Sequence, residues 1–173
     1  MMKTSRLHLL AALVLLPTAV FALDEVTILP SRKKLHEDKK RLDSSSSEKI
    51  KEITYCVKVT SRAFKELQNV TVKYNVFYED VELGSKDEAA VKVIAGSETL
   101  SSLLISKPVE FETKSLELKQ ESLDAGWHFT DGARASAKDK VVGLWFKAFN
   151  AEGQQIGEYA NPTTVPKKMK WKE

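Results

Sequence analysis

The side chains best suited to chemistry in this chain of 173 residues are aromatic: Trp127, Trp145 and Tyr159, with Tyr78 beside them. Rings of this kind, held in water on a β-sandwich, stack on sugar faces, so Trp145, Trp127 and Tyr159 form the candidate ligand platform. Burying a tryptophan removes about 150–250 Å² from water, worth at most roughly 4–6 kcal/mol at about 25 cal/mol per Å². A domain's net stability is about 5–15 kcal/mol, so an exposed Trp145 would be a functional choice. The stretch VVGLWFKAFNAEGQQIGEY, residues 141–159, sets the alternative. Val142, Leu144, Phe146 and Ala148 share one parity and are expected to face a core, whereas Trp145 shares the other with Lys147. Val141 and Phe149 also have the parity of Trp145, and a strand apolar on both faces is usually central and covered. Covering of Trp145, by residues 31–52 or by the connection at 130–140, is the preferred reading over the platform.

Other chemistries lack equipment. Beyond residue 22 the histidines are His36 and His128, and neither stands in a cluster with ligand spacing, whereas zinc takes three or four His, Cys or carboxylate ligands. No calcium loop of the Asp-x-Asp-x-Asp-Gly type is present. Nucleophilic catalysis needs a Ser or Cys beside an oriented base, and the serines lack a Gly-x-Ser-x-Gly elbow. The seven glycines are scattered, without a phosphate-cradling pattern. No catalytic, metal or cofactor residue is therefore assigned. Cys56, the one cysteine, lies between Tyr55 and Val57 and is expected to be buried as a small hydrophobe, with pairing between chains as the alternative. Asn69-Val70-Thr71 matches a glycosylation sequon but falls within an expected strand.

The first residues bound the setting. Lys3 and Arg6 precede an apolar run at residues 9–16 and then Val20-Phe21-Ala22, the pattern of a secretory signal peptide cleaved after Ala22. The run is shorter than the roughly 20 residues a bilayer crossing takes, and no transmembrane segment follows. The expected product is exported, periplasmic or extracellular. The formal net charge of +3 comes from 27 Lys+Arg and 24 Asp+Glu, and loss of Lys3 and Arg6 leaves +1. Overall charge thus gives no case for nucleic acid or an anionic membrane as a partner.

The elements that must position these residues follow from period-two alternation. An early strand is expected at residues 25–29, then a charged, partly ordered arm within residues 23–51, with edge-strand residues at 31–52 as the alternative, and a β-sandwich domain at 52–173. Ile53, Tyr55, Val57 and Val59 alternate with polar residues, as do Val70, Val72, Tyr74, Val76 and Tyr78. Residues 91–93 read as a short strand stopped by Gly96, and 97–105 as either helix or strand. Val109 and Phe111 share odd parity but Leu116 and Leu118 are even, which a bulge near Lys114-Ser115 reconciles. Residues around 127–129 read as a brief aromatic strand, and 150–153 as a type I turn with Gly153 left-handed. A last strand is expected at 164–171, with Met169 and Trp171 inward and the lysines outward, a charge pattern suited to an edge. A contact of this basic tail with an acidic polymer or membrane surface is the alternative.

Seven to nine short strands without alternating helices predict an all-β chain, a single antiparallel β-sandwich. The pair NVTVKYNVFYED and GLWFKAFNAEGQQIGEY resembles small immunoglobulin-like or fibronectin-III-like sandwich modules of secreted, largely uncharacterised bacterial proteins. The resemblance covers about residues 52–162 and implies a fold but no site residue; the Cys–Trp–Cys pattern of antibody domains is missing. The expectation is a non-enzymatic binding or scaffolding module for protein or cell-envelope material. A carbohydrate-binding module using Trp145 and Trp127 on polysaccharide is the alternative.

Overall fold

The computed structural model describes residues 25–173; the signal peptide expected at 1–22 lies outside them. The chain forms two antiparallel sheets packed as a β-sandwich. The first sheet contains β1 (Val26–Arg41), β2 (Ser46–Ser61), β6 (Leu116–Leu123) and β7 (Ser136–Lys138) in that order, with β5 (Val109–Glu112) also on β2. The second has the order β4-β3-β8-β9, from β4 (Ala90–Leu103), β3 (Leu67–Asp80), β8 (Lys140–Phe149) and β9 (Gln155–Asn161). A short helix, α1 (Val165–Lys168), follows.

The core is built from the alternating residues: Ile53, Val57 and Val59 of β2, Val70, Val72 and Val76 of β3, and Phe146 of β8 are almost completely buried. Their β-branched and aromatic side chains suit a pleated, covered surface. β5 and β6 lie along the same edge of β2, separated by residues 113–115. Thr113 holds the break: its N–H donates to Tyr55 O at 2.9 Å, and Thr54 Oγ1 donates to its carbonyl at 2.7 Å. The interruption moves the inward parity from Val109 and Phe111 to Leu116 and Leu118, as the sequence requires. The turn at 150–153 also forms, with Gly153 at φ 78° and its N–H on Asn150 O at 3.0 Å.

Four segments differ from expectation. Residues 31–52 are strand rather than a partly ordered arm; they continue β1 and β2 as a long hairpin, the edge-strand alternative, with a register irregularity at Leu35. Apolar alternation fails there because the hairpin is held by its backbone ladder and by cross-strand charges, such as Lys49 on Glu37. β4 runs through Gly96 to Leu103 instead of stopping. A Cβ at Gly96 would overlap the Tyr74 hydroxyl, so this glycine makes room for a ring. Residues 127–129 form loop rather than strand. The expected last strand is α1 and an extended tail, with Pro166 in the first turn of the helix, where a missing N–H costs nothing.

One of the crossings between the sheets is a single residue. β7 and β8 are separated only by buried Asp139. Its N–H donates to Lys119 O at 2.8 Å. Its carboxylate accepts the N–H of Val81 on Oδ1 at 3.0 Å and the N–H of Lys119 on Oδ2 at 2.9 Å.

Candidate functional site

Trp145 is 7% exposed and therefore is not a platform in water. It belongs to a second apolar layer on the outer face of the β4-β3-β8-β9 sheet, with Phe77 and Val165 buried beside it. The cover is neither segment expected from the sequence but the C-terminal tail. Trp171 packs edge-on against Trp145 with ring centroids 5.0 Å apart, and Met169 joins the cluster. Gly143 is the close approach: a Cβ there would lie 2.9 Å from Val165 Cγ2. The Trp145 indole N–H donates to Glu158 Oε1 at 2.6 Å. Lys147 Nζ sits 4.6 Å from the Trp145 ring centroid and 4.8 Å from that of Trp171, a cation–π arrangement. Met169 and Trp171 do turn inward between outward lysines, but from an irregular tail.

The other platform residues are not brought together with Trp145. Tyr159 is half-buried on the opposite, core-facing side of β9, its ring against Phe146. Tyr78 is also half-buried against the core. Trp127 is exposed on the loop between β6 and β7. His36 and His128 are both exposed, and among the described residues no group of three His, Cys, Asp or Glu is placed to hold a metal. Cys56 is half-buried rather than core, because Tyr55 and Val57 take the inward parity of β2. Its Sγ lies 3.8 Å from Glu110 Oε2.

The feature that sequence reading could not locate is an open sheet edge. An edge strand carries a row of unused N–H and C=O groups, which proteins normally blunt with prolines, charges, bulges or short length. Four of the five edges are so protected, β5 by being only four residues long. β1 has Pro30, a bulge at Leu35 and dense charge. β7 has three residues. β9 is met by the start of β1, where the Glu25 N–H donates to Ile156 O at 2.9 Å. β4 is different: its 14 residues pair with β3 without a bulge, contain no proline, and include only Lys92 and Glu98 as charges.

The orientation of that edge can be read residue by residue. Lys114 Nζ donates to Ala95 O at 3.1 Å, so Ala95 turns its peptide groups away from β3. Alternation along the strand then points the N–H and C=O groups of Val91, Val93, Ser97 and Thr99 outward too. Val91 is 50% exposed, and Ser97, Glu98 and Thr99 are exposed as well. Residues 91–99 span about 30 Å at roughly 3.4 Å per residue, enough to receive an extended segment.

No protein-family model matches the chain, and no curated protein matches it. An X-ray structure solved as Northeast Structural Genomics Consortium target SoR45 is similar at 6% sequence identity and a TM-score of 0.38, over 80% of this chain and 88% of that one. So distant a likeness carries no argument about function. No helix among the described residues is long and apolar enough to cross a membrane.

Proposed function

We propose that this chain is an exported, non-enzymatic binding or scaffolding module of the cell envelope that engages a protein partner by strand addition along β4. The carrying observation is the edge of β4, which has no further strand beside it, so that the outward amides at Val93, Ser97 and Thr99 can form a further ladder once Lys114 yields the Ala95 carbonyl. In this mode main-chain hydrogen bonds supply affinity, and alternate side chains supply specificity. Val91 and Val93 would give the added strand an apolar start, and Ser97 and Thr99 a polar end. The fold type that fits best is fibronectin-III-like. In constant-type immunoglobulin sandwiches the fourth strand shares a sheet with the first, second and fifth, whereas β4 lies beside β3. The polysaccharide reading loses its support with the burial of Trp145, since Trp127 stands alone.

A proline substitution tests the edge cleanly. Proline is tolerated on an edge strand where its missing N–H would face solvent. Ser97→Pro should therefore keep the fold while deleting a donor that an added strand needs, and Glu98→Pro should destabilise it by breaking the β3 ladder. Captures from an envelope extract, with insoluble polysaccharides in parallel, should give a defined protein with the wild type and lose it with folded Ser97→Pro. Amide exchange at Val93, Ser97 and Thr99 should slow in the complex. Undiminished capture by Ser97→Pro would refute the edge, and retention on a polysaccharide that Trp127→Ala abolishes would favour a sugar module.

A further inference from the structure

Away from β4, the first sheet carries a cleft of about 260 Å³ whose lining includes Arg32, Lys49, Lys51, Lys119, Lys138 and Lys140. Strand register explains the convergence. Lys49 lies opposite Gln120, and Gln120 opposite Lys138, so one row crosses β2, β6 and β7. Lys51 lies opposite Leu118 in the next row of the same face, about 7 Å along the strands. Leu118 and Val141, which also line the cleft, pack against the main core. The cleft thus has an apolar floor and cationic walls.

Like charges this close are unfavourable in a sheet, and the carboxylates nearby do not balance them. Glu37 is shared by three ammonium groups, those of Lys34, Lys49 and Lys51. Glu79 pairs with Lys140 at 3.0 Å. The Asp139 carboxylate is committed to two backbone N–H groups. Arg32 and Lys138 have no carboxylate within 4.0 Å among the described residues, while Lys119 has the opposite parity to Leu118 and Gln120 and shares its side of β6 with Glu117 and Glu121. Five cations on the cleft side (Arg32, Lys49, Lys51, Lys138 and Lys140) against Glu37, Glu79 and Asp139 leave an excess of two, in a chain that carries +1 beyond residue 22. Positive charge is concentrated here and offset elsewhere on the molecule.

We infer that this cleft binds a phosphate-bearing ligand, with Arg32 and Lys138 as its principal contacts. Two cations without a carboxylate partner, Arg32 and Lys138, match a compact group of charge −2 better than a single carboxylate. The guanidinium of Arg32 can meet two phosphate oxygens with parallel N–H donors, and the ammonium of Lys138 adds a point charge from the other wall. Leu118 and Val141 can receive the carbon stem of a phosphoester. The volume lies just under the usual range for small-molecule sites, about 300–1,000 Å³, so one head group fits rather than an extended chain. The same chemistry is offered by a soluble phosphoester and by a phospholipid head group. This site does not depend on the β4 reading.

The test uses inorganic pyrophosphate as the soluble probe and vesicles of phosphatidylcholine with or without phosphatidylglycerol as the lipid probe. On the full exported chain, pyrophosphate should shift the amide resonances of Leu118, Gln120 and Lys138 saturably, and added salt should weaken the effect. Arg32→Gln with Lys138→Gln should weaken binding at least about tenfold, the loss expected for a charge-assisted contact. Lys65→Gln with Lys107→Gln, on loops remote from the cleft, should leave it unchanged. Sedimentation with anionic but not neutral vesicles, competed by pyrophosphate, would assign the ligand to a lipid head group; saturable pyrophosphate binding without it would assign a soluble phosphoester. Unsaturable shifts spread over the surface lysines, or equal binding by the folded Arg32→Gln/Lys138→Gln variant, would overturn the site.

Discussion

The indole N–H of Trp145 donates to Glu158 Oε1 at 2.6 Å, linking β8 to β9 on the face that the C-terminal tail covers. This pairing accounts for an apolar layer that holds a polar handle. The ring is buried against Phe77, Val165 and Trp171, while its one donor reaches a carboxylate at the margin.

Trp145→Ala should therefore cost about 3–5 kcal/mol in urea unfolding, as aromatic truncation in a core does. Glu158→Gln keeps an acceptor and should cost little. Glu158→Leu leaves the indole N–H unpaired and should cost about 1–3 kcal/mol. A Trp145→Ala variant of wild-type stability would show that the tail does not pack on this face.

Asn75 lies across from Trp145 on β3, and it is fully buried. Its side-chain nitrogen and oxygen have no hydrogen-bond partner among the described residues. A buried amide without partners carries a desolvation penalty of about 1–3 kcal/mol. Valine has a similar volume and suits a strand, so Asn75→Val should raise the urea midpoint without changing the slope of the transition. A lowered midpoint would mean that the amide is satisfied in solution.

The alternation of Ile53, Tyr55, Val57 and Val59 made the sandwich legible, because each such strand has one covered face and one open one. The two-faced character of β8 was legible for the same reason, but not what covers Trp145. A four-residue helix has too few turns to leave a period, and Met169 and Trp171 alternate with lysines as a strand would. The hairpin at 31–52 escaped because its support is non-local: Glu37 meets Lys49 only once β1 and β2 are in register. The openness of β4 is a property of strand order, which no single strand's sequence encodes.

Acid should loosen the far end of that hairpin. The hydrogen bond from Lys49 holds the Glu37 carboxyl below its ordinary 4.5, with Lys34 lowering it further. The Ser45 backbone N–H, with the Ser46 and Ser45 side chains, holds Asp43 below 3.8. A lowered carboxyl pKa contributes stability that is present above the ordinary value and lost as pH falls through the lowered one. The urea midpoint should hold from neutrality to about pH 5 and then decline, with a shallower decline in Glu37→Gln/Asp43→Asn. Burial raises Tyr55 above its ordinary 10.0, so its contribution has the opposite sense, present below pH 10 and lost in stronger alkali. An identical acid limb in the double variant would refute the carboxylate assignment.

Asp139 offers the sharpest test of how the sheets are joined. Its two carboxylate oxygens accept from Val81 and Lys119, and its own N–H donates to Lys119 O. One side chain thus ties the end of β3 to β6 at the point where the chain leaves one sheet for the other. Hydrogen bonds to charged groups contribute about 1.5–3 kcal/mol each, and an orphaned buried donor costs about 1–3 kcal/mol. Asp139→Ala should therefore destabilise by several kcal/mol. Asp139→Asn replaces one acceptor with an NH₂ group facing a backbone N–H, so it should recover only part of that loss. Amide exchange should accelerate first at Val81 and Lys119, ahead of the core strands. If Asp139→Asn matched the wild type in both midpoint and exchange, the corner would be held by its backbone alone, and the carboxylate would be free to act in the cleft it lines.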